Sequence, residues 1–261
     1  MTAELLDIGL QCSHHELFTL AALLGGETLI GVPDPFPGWL TEEIRDAMRQ
    51  AQEQLIERNV LRVVDSDIRM DAFVALLVGT LIEPQAVLLA NLSQARGEIQ
   101  QKTFYARSPF SIELTRTSED NYHLHLLADG EQVHSLILGF WGVDAKVPPA
   151  KSPAFSLPQR ILEQLRHTSE QVKNMLKPYG TGGEIFLRSL RSAQRNGAVV
   201  AMRKRATWQV GGMGFLQAEN GLWRLRSFHQ SGENWVEVIP CDLSSLQAEL
   251  HVLLASFWLQ D

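Results

Sequence analysis

His123 and His125 stand two residues apart in Tyr122-His-Leu-His-Leu126. Side chains alternate along a strand, so both imidazoles would share one face and could ligate a metal together. His134 would lie on the next predicted strand. A zinc site needs three or four ligands and a supporting shell around them. No cysteine or close acidic pair completes this set, so the segment reads as an exposed polar strand face with no metal. His14-His15 open a predicted helix and read as end-of-helix polar residues.

The other motifs that could carry chemistry are incomplete. Gly211-Gly-Met-Gly214 resembles a phosphate cradle, but such a loop needs a strand before it and a helix immediately after. Here Phe215-Leu-Gln-Ala218 continues as strand. Glycines at a strand start more often permit a bulge or a close backbone approach. Thr181-Gly-Gly183 precedes a helix yet lacks the lysine and length of a P-loop. No serine sits in a glycine-flanked elbow, and neither Cys12 nor Cys241 has a motif-like partner histidine. Carboxylates crowd residues 42–71, but arginines stand among them at helical spacing, as on a solvated helix face. These residues predict no catalytic set and no cofactor. An enzyme whose site assembles only in space, around His123 and His125, stays open as an alternative.

A binding surface is better supported. Trp208, Trp223 and Trp235 all fall in or beside one run of predicted strands, with Phe215 nearby. Large aromatics on a sheet either fill a core or anchor a partner. Arg224 and Arg226 occupy the strand face opposite Leu225. The partner-binding residues expected here are Trp208, Phe215, Trp223, Arg224, Arg226 and Trp235.

Composition restricts the class. A chain of 261 residues with 45% hydrophobic and 20% charged side chains is ordinary for a globular protein. Two cysteines so far apart suit a reducing compartment. Glu4 and Asp7 take the place of a basic start, so Met1–Leu10 does not read as a signal peptide. Apolar runs such as Phe73–Val78 fall far short of the roughly 20 residues of a membrane span. The expectation is a cytoplasmic protein with no membrane association.

The net charge of −7 conceals an asymmetry: residues 1–150 carry 21 acidic and 10 basic side chains, residues 151–261 carry 9 and 13. Six basic residues and no acid lie between Arg188 and Arg205. That stretch, with an N-terminal order of helix, loop, helix, short strand, helix, makes a nucleic-acid-binding regulator the alternative reading. The candidate recognition helix, Leu40–Arg58, argues against it. Its acids Glu42, Glu43, Asp46, Glu53 and Glu57 would repel phosphates.

The elements that must position these residues come in two similar sets. Ser13 caps a first predicted helix that ends at Gly25-Gly26. Thr41 caps a second, running to Asn59. Val60–Val64 is a short strand, and Arg69–Ile82 a third helix stopped by Pro84. Strands follow at Gln85–Leu92, Lys102–Arg107, Phe110–Thr115, Tyr122–Leu127 and, after an Asp129-Gly130 hairpin signal, Val133–Phe140. The prolines of Val147–Pro153 suggest a linker. Helix is predicted from Pro158, with Ile161, Leu162, Leu165, Val172, Met175 and Leu176 as its apolar stripe, and again over Glu184–Arg195, ended by Asn196-Gly197. A second strand set spans Ala198–Arg203, Gly211–Ala218, Leu222–Phe228 and Trp235–Ile239. A closing helix, capped by Asp242, buries Leu243, Leu246, Leu250, Leu253, Leu254 and Phe257. The fold class is α+β: a quasi-two-fold repeat of antiparallel strand meander plus helices sharing a central sheet, with an N-terminal helical module. The halves divide at 1–146 and 147–261.

This layout resembles the EspG family, the cytosolic chaperones of ESX (type VII) secretion. The family's N-terminal helical segment is echoed by Ala51–Leu61, then Met70–Leu77, then Pro84 leading into a strand. Its late hairpin pattern is echoed by Gly221–Leu225 and Trp235–Pro240 before the closing helix. The resemblance implies a non-catalytic chaperone that holds the apolar helical tip of a secreted client, PE/PPE-like or another type VII substrate, so that it stays soluble. It transfers no individual contact residue.

Overall fold

A computed structural model describes residues 9–94, 97, 99–118, 120–127, 131–164, 174–230 and 232–258. Among these the chain is α+β, with seven helices, a large antiparallel sheet and a two-stranded hairpin. The large sheet has ten strands in the order β1-β7-β6-β5-β4-β9-β10-β11-β12-β8. The chain forms two compact units, one of residues 1–87 and 102–130 and a second of residues 88–101 and 131–261.

The first unit opens with a strand that sequence periodicity does not reveal. β1 (Gly9–Ser13) pairs antiparallel with β7 (Asn121–Leu127), which pairs with β6 (Phe110–Ser118), itself paired with β5 (Gln100–Arg107). Ser13 then caps α1 (His14–Leu23) as expected. Its hydroxyl accepts from Glu16 N at 3.1 Å and the Glu16 carboxylate accepts from Ser13 N at 2.6 Å. This reciprocal box satisfies two donors that a helix start leaves unpaired. The buried Glu16 also receives Arg58 Nη1 at 2.8 Å.

α2 (Thr41–Glu57) starts at Thr41 itself, so its cap lies one residue earlier than expected. Leu40 is the N-cap, and Glu43 accepts from Leu40 N at 2.8 Å in place of a Thr41 side chain. Asn59 ends the helix with φ 60. The third helix is shorter than predicted, because Arg69 and Met70 belong to a hairpin, β2 (Leu61–Val64) with β3 (Asp67–Met70). Asp65 and Ser66 turn it with φ 51 and 71, the left-handed geometry of a tight two-residue hairpin turn. Asp71 accepts from Phe73 N at 2.9 Å and so starts α3 (Ala72–Ile82). Leu17, Leu20, Leu55, Leu77, Phe104, Ile112 and Leu124 fill this unit's core.

In the second unit the expected strand Val133–Phe140 is instead a helix, α4 (Gln132–Trp141). Val133, Ile137 and Trp141 recur every four residues and are all fully buried, which is one face of a helix. The Asp129-Gly130 signal lies outside the described residues. With α4 a helix, the repeat is more regular. β4 (Ala86–Gln94) to β7 is followed by α4, as the later strands are followed by α7 (Leu243–Phe257). Asp242 caps α7, accepting from Ser245 N at 2.8 Å.

Residues Val147–Pro153 are not a free tether. Pro148 O accepts from Leu222 N at 2.9 Å and Ala150 N donates to Leu222 O at 3.3 Å. Gly221 permits this approach: its φ is 133, and a Cβ there would stand 2.5 Å from Ala150 N. Phe155–Pro158 forms β8 where helix onset was expected, and α5 (Gln159–Gln164) follows. Leu165 and Val172 lie outside the described residues. α6 runs over Gly180–Arg191, so Thr181-Gly-Gly183 is its first turn. Gly182 packs there against Phe155 and Pro153, where a Cβ would meet atoms at 3.0 and 3.2 Å. Asn196-Gly197 does not terminate a helix. It lies inside β9 (Ala193–Lys204). β10 (Trp208–Ala218), β11 (Gly221–Gln230) and β12 (Glu233–Pro240) complete the meander, and β8 pairs with β12. No helix among the described residues is long and apolar enough to cross a membrane.

Candidate functional site

Register assigns the side chains of the second unit to two faces. Gly211 pairs with Ala201, Met213 with Val199 and Arg226, and Phe215 with Gly197 and Arg224. Partners across a ladder point the same way, so these residues share a face. It is the face of α4 and α7. A Cβ on Gly211 would lie 2.6 Å from Phe257, Phe215 meets the ring of Trp141 at 5.0 Å, and Arg224 and Arg226 both reach Glu249 of α7.

The opposite face carries Trp208, Val210, Gly212, Gly214 and Leu216 of β10, Met202, Val200 and Ala198 of β9, and Trp223 and Leu225 of β11. α6 covers only part of it. Phe186 packs edge-on against Trp223 with centroids 5.3 Å apart, and Trp223 Nε1 donates to Ser189 Oγ at 2.8 Å. Where α6 stops short, a groove of about 610 Å3 opens. Its floor is Ala198, Val200, Gly212 and Gly214. Phe186, Leu190 and Leu162 wall one part, and Asn91, Leu92, Ser93 and Ile99 line it further. Trp208 (40% exposed), Val210 (64%) and Ile99 (69%) leave apolar surface uncovered on this unit. Small residues in a floor let a partner's backbone come close. The glycines of Gly211-Gly-Met-Gly214 thus serve packing on both faces, not phosphate binding.

The six residues singled out in the sequence therefore do not form one surface. Trp208 and Trp223 lie on the groove face; Phe215, Arg224, Arg226 and Trp235 lie on the other. Trp223 and Phe215 are fully buried core, and Trp235 is half-buried opposite Phe228. Arg224 is tied to Glu249, and Arg226 lies 3.5 Å from the same carboxylate. On that face Glu249 pairs with both arginines. Sequence reading missed Val210, Val200 and Ile99. The alternation Trp208-Gln-Val210-Gly-Gly212 carried the signal, since it sets two large apolar side chains over glycine on one face.

Other candidate groups have structural partners. His123 and His125 face each other with centroids 6.1 Å apart on β7. His134 is on a helix, not the next strand, against His251. Among the described residues no three His, Cys, Asp or Glu side chains converge as a metal site. Burial pushes the thiols of Cys12 and Cys241 up to about 12, so neither is poised as a nucleophile. Within the Arg188–Arg205 stretch, Arg195 is committed internally, donating to Trp141 O at 2.8 Å.

A strand meander ends in a helix twice over, and the fold is EspG-like. The solved structure of the Mycobacterium tuberculosis type VII secretion system chaperone EspG5, in complex with a PE25–PPE41 dimer, is similar to this chain over 97% of its length and 98% of the EspG5 chain. The TM-score is 0.66 at 12% sequence identity. No protein-family model and no curated protein matches the sequence.

Proposed function

We propose that this chain is a non-catalytic, cytosolic binding protein of the secretion-chaperone type. It masks the apolar helical tip of a secreted client, PE/PPE-like or another type VII substrate, until export. The observation that carries this reading is the glycine-floored groove of the second unit, lined by Ile99, with Val210 and Trp208 uncovered further along the same face of β10. An amphipathic helix laid in such a groove buries its apolar stripe and removes it from water. The similarity to EspG5, solved with a PE25–PPE41 dimer, supports the choice of client. Trp208 makes the direct aromatic contact. Trp223 holds α6 in place as a wall, and Phe215, Arg224, Arg226 and Trp235 frame the sheet from behind.

The test is co-expression of the full chain with PE–PPE-type pairs from its own genome. Recovery of a soluble complex that Val210→Asp abolishes supports the reading. It fails if every pair stays insoluble, or if a complex forms equally well with Val210→Asp.

A further inference from the structure

Two neighbouring strands of the second unit part halfway along their length. β10 and β11 pair from Ala218 and Gly221 only as far as Met213 and Arg226. Both strands continue. β10 extends to Trp208 paired with β9 alone, with Gly212 opposite Val200 and Trp208 opposite Lys204. β11 extends to Gln230 paired with β12 alone, with Ser227 opposite Val236 and Gln230 opposite Glu233. The sheet therefore forks, and each prong has a bare inner edge: Trp208–Gly212 on one, Ser227–Gln230 on the other. Backbone N–H and C=O groups of a strand point to both of its sides, so those on the inner side lack a ladder partner among the described residues. Trp208, Gln209 and Val210 on one prong, and Ser227, His229 and Gln230 on the other, are exposed.

A bare edge is a template for another strand, and proteins normally guard it with charge, proline or a bulge. The outer margins of this sheet are guarded. At β1, Arg58 Nη2 donates to Gln11 O at 2.5 Å, and at β12 Glu233 is held by Arg160 at 3.0 Å. The fork is not. Trp208-Gln-Val-Gly-Gly212 and Ser227-Phe-His-Gln230 contain no lysine, arginine, aspartate, glutamate or proline. We propose that the fork receives an extended, uncharged segment of a partner protein, which adds as a strand to the free edge of β10. The two faces specify its side chains. On the groove face Val210 is 64% exposed beside Trp208, so large apolar side chains of the segment pack there. On the α7 face the ring of Phe257 fills the space above Gly211, where a Cβ would stand 2.6 Å from it, so small side chains fit. The segment thus alternates large apolar with small residues over about five positions, to match Trp208–Gly212. Gly212 and Ser227, one on each prong, also line the groove, but this site recognises backbone where the groove buries a helix.

The test is amide-resolved hydrogen exchange on the full chain, alone and with each of two short blocked peptides. One alternates valine with serine. Its twin has the same side chains with every backbone nitrogen methylated, so it has no N–H to offer a ladder. In the free chain the inner-edge amides of Trp208–Gly212 should exchange fast, while those paired with β9 stay protected. The valine–serine peptide should slow the inner-edge amides by about tenfold or more, and the methylated twin should leave them unchanged. Only the peptide varies, so the folding of the chain is not at risk. Protected inner-edge amides in the dilute free chain would mean a closed fork and overturn the site. No protection by either peptide, or equal protection by both, overturns it as well. Protection that rises with chain concentration in the absence of peptide would give the edge to a second copy and overturn the choice of partner. Co-expression with PE–PPE-type pairs reads the groove and this exchange reads the edge, so the two readings fail separately.

Discussion

The indole N–H of Trp223 donates to Ser189 Oγ at 2.8 Å, and both residues are completely buried. The same hydroxyl has Asn220 Oδ1 at 2.8 Å and Ile185 O at 3.1 Å as acceptors for its own proton. This bond fastens α6 to the sheet beside the groove. Ser189→Ala should leave the indole N–H unpaired and cost about 1–3 kcal/mol. Urea denaturation would show the midpoint falling at unchanged slope. A midpoint equal to that of the parent would show that the contact does not hold α6.

Trp208 and Arg226 should behave oppositely, because they lie on different faces of the sheet. Trp208→Ala should weaken client binding by about 2 kcal/mol or more, the range of an exposed aromatic anchor, with melting temperature unchanged. Arg226→Ala should leave affinity within about 0.5 kcal/mol of the parent, as surface substitutions generally do. Calorimetric titration of both variants with one client distinguishes them, and a larger loss for Arg226→Ala would put the client on the α7 face.

Hydrogen bonding from Ser245, side chain and backbone, and then from Ser244 holds the Asp242 carboxyl down at about 2. A carboxylate whose folded value lies below its unfolded one stabilises the fold above the unfolded value, near 4. That contribution fades as pH falls towards 2. Melting temperature should therefore decline between about pH 4 and pH 2, and Asp242→Ala should flatten that decline. Asp242→Asn, which keeps an acceptor for Ser245 N, should retain most of the cap at neutral pH.

Both thiols should be inert in the folded protein. Cys12 and Cys241 are buried, free, and pushed up to about 12. At pH 8 only about one in ten thousand of either would be thiolate, the nucleophilic form. A thiol reagent such as DTNB should titrate neither in native buffer and both in denaturant. Rapid native labelling at Cys241 would mean that the start of α7 opens easily.

The parts of the fold legible in the sequence are those where one physical signal acts alone. α1 has its serine cap, α7 its aspartate cap and apolar stripe, and β10 to β12 their alternation and glycine turns. Errors arise where signals compete. Val133, Ile137 and Trp141 fit a helical period, but the apolar run around them and the hairpin signal before them also suit a strand. Asn196-Gly197 looks like a terminator, yet Gly197 lies within β9, where glycine is needed because a Cβ would stand 2.6 Å from Phe215 and 2.7 Å from Asn91 O. β1 and β8 are too short for periodicity, and only pairing defines them. The site is half legible. Trp208 stands out as an aromatic on a strand. That Phe215 turns away from it follows from alternation along β10, but that Arg224 does so depends on register across β10 and β11, which no single segment encodes.

β8 contains four residues and covers only Trp235–Val238 of the eight-residue β12. A long bare sheet edge would invite pairing with another chain, the first step of aggregation. Here the uncovered ends are poor templates. Glu233 is held by Arg160 of α5 at 3.0 Å, and Pro240 has no N–H to offer. A protein that keeps apolar segments of other chains soluble meets them at high local concentration. In the chaperone role proposed above, such a blunted margin would keep the chain from being recruited into its clients' aggregates.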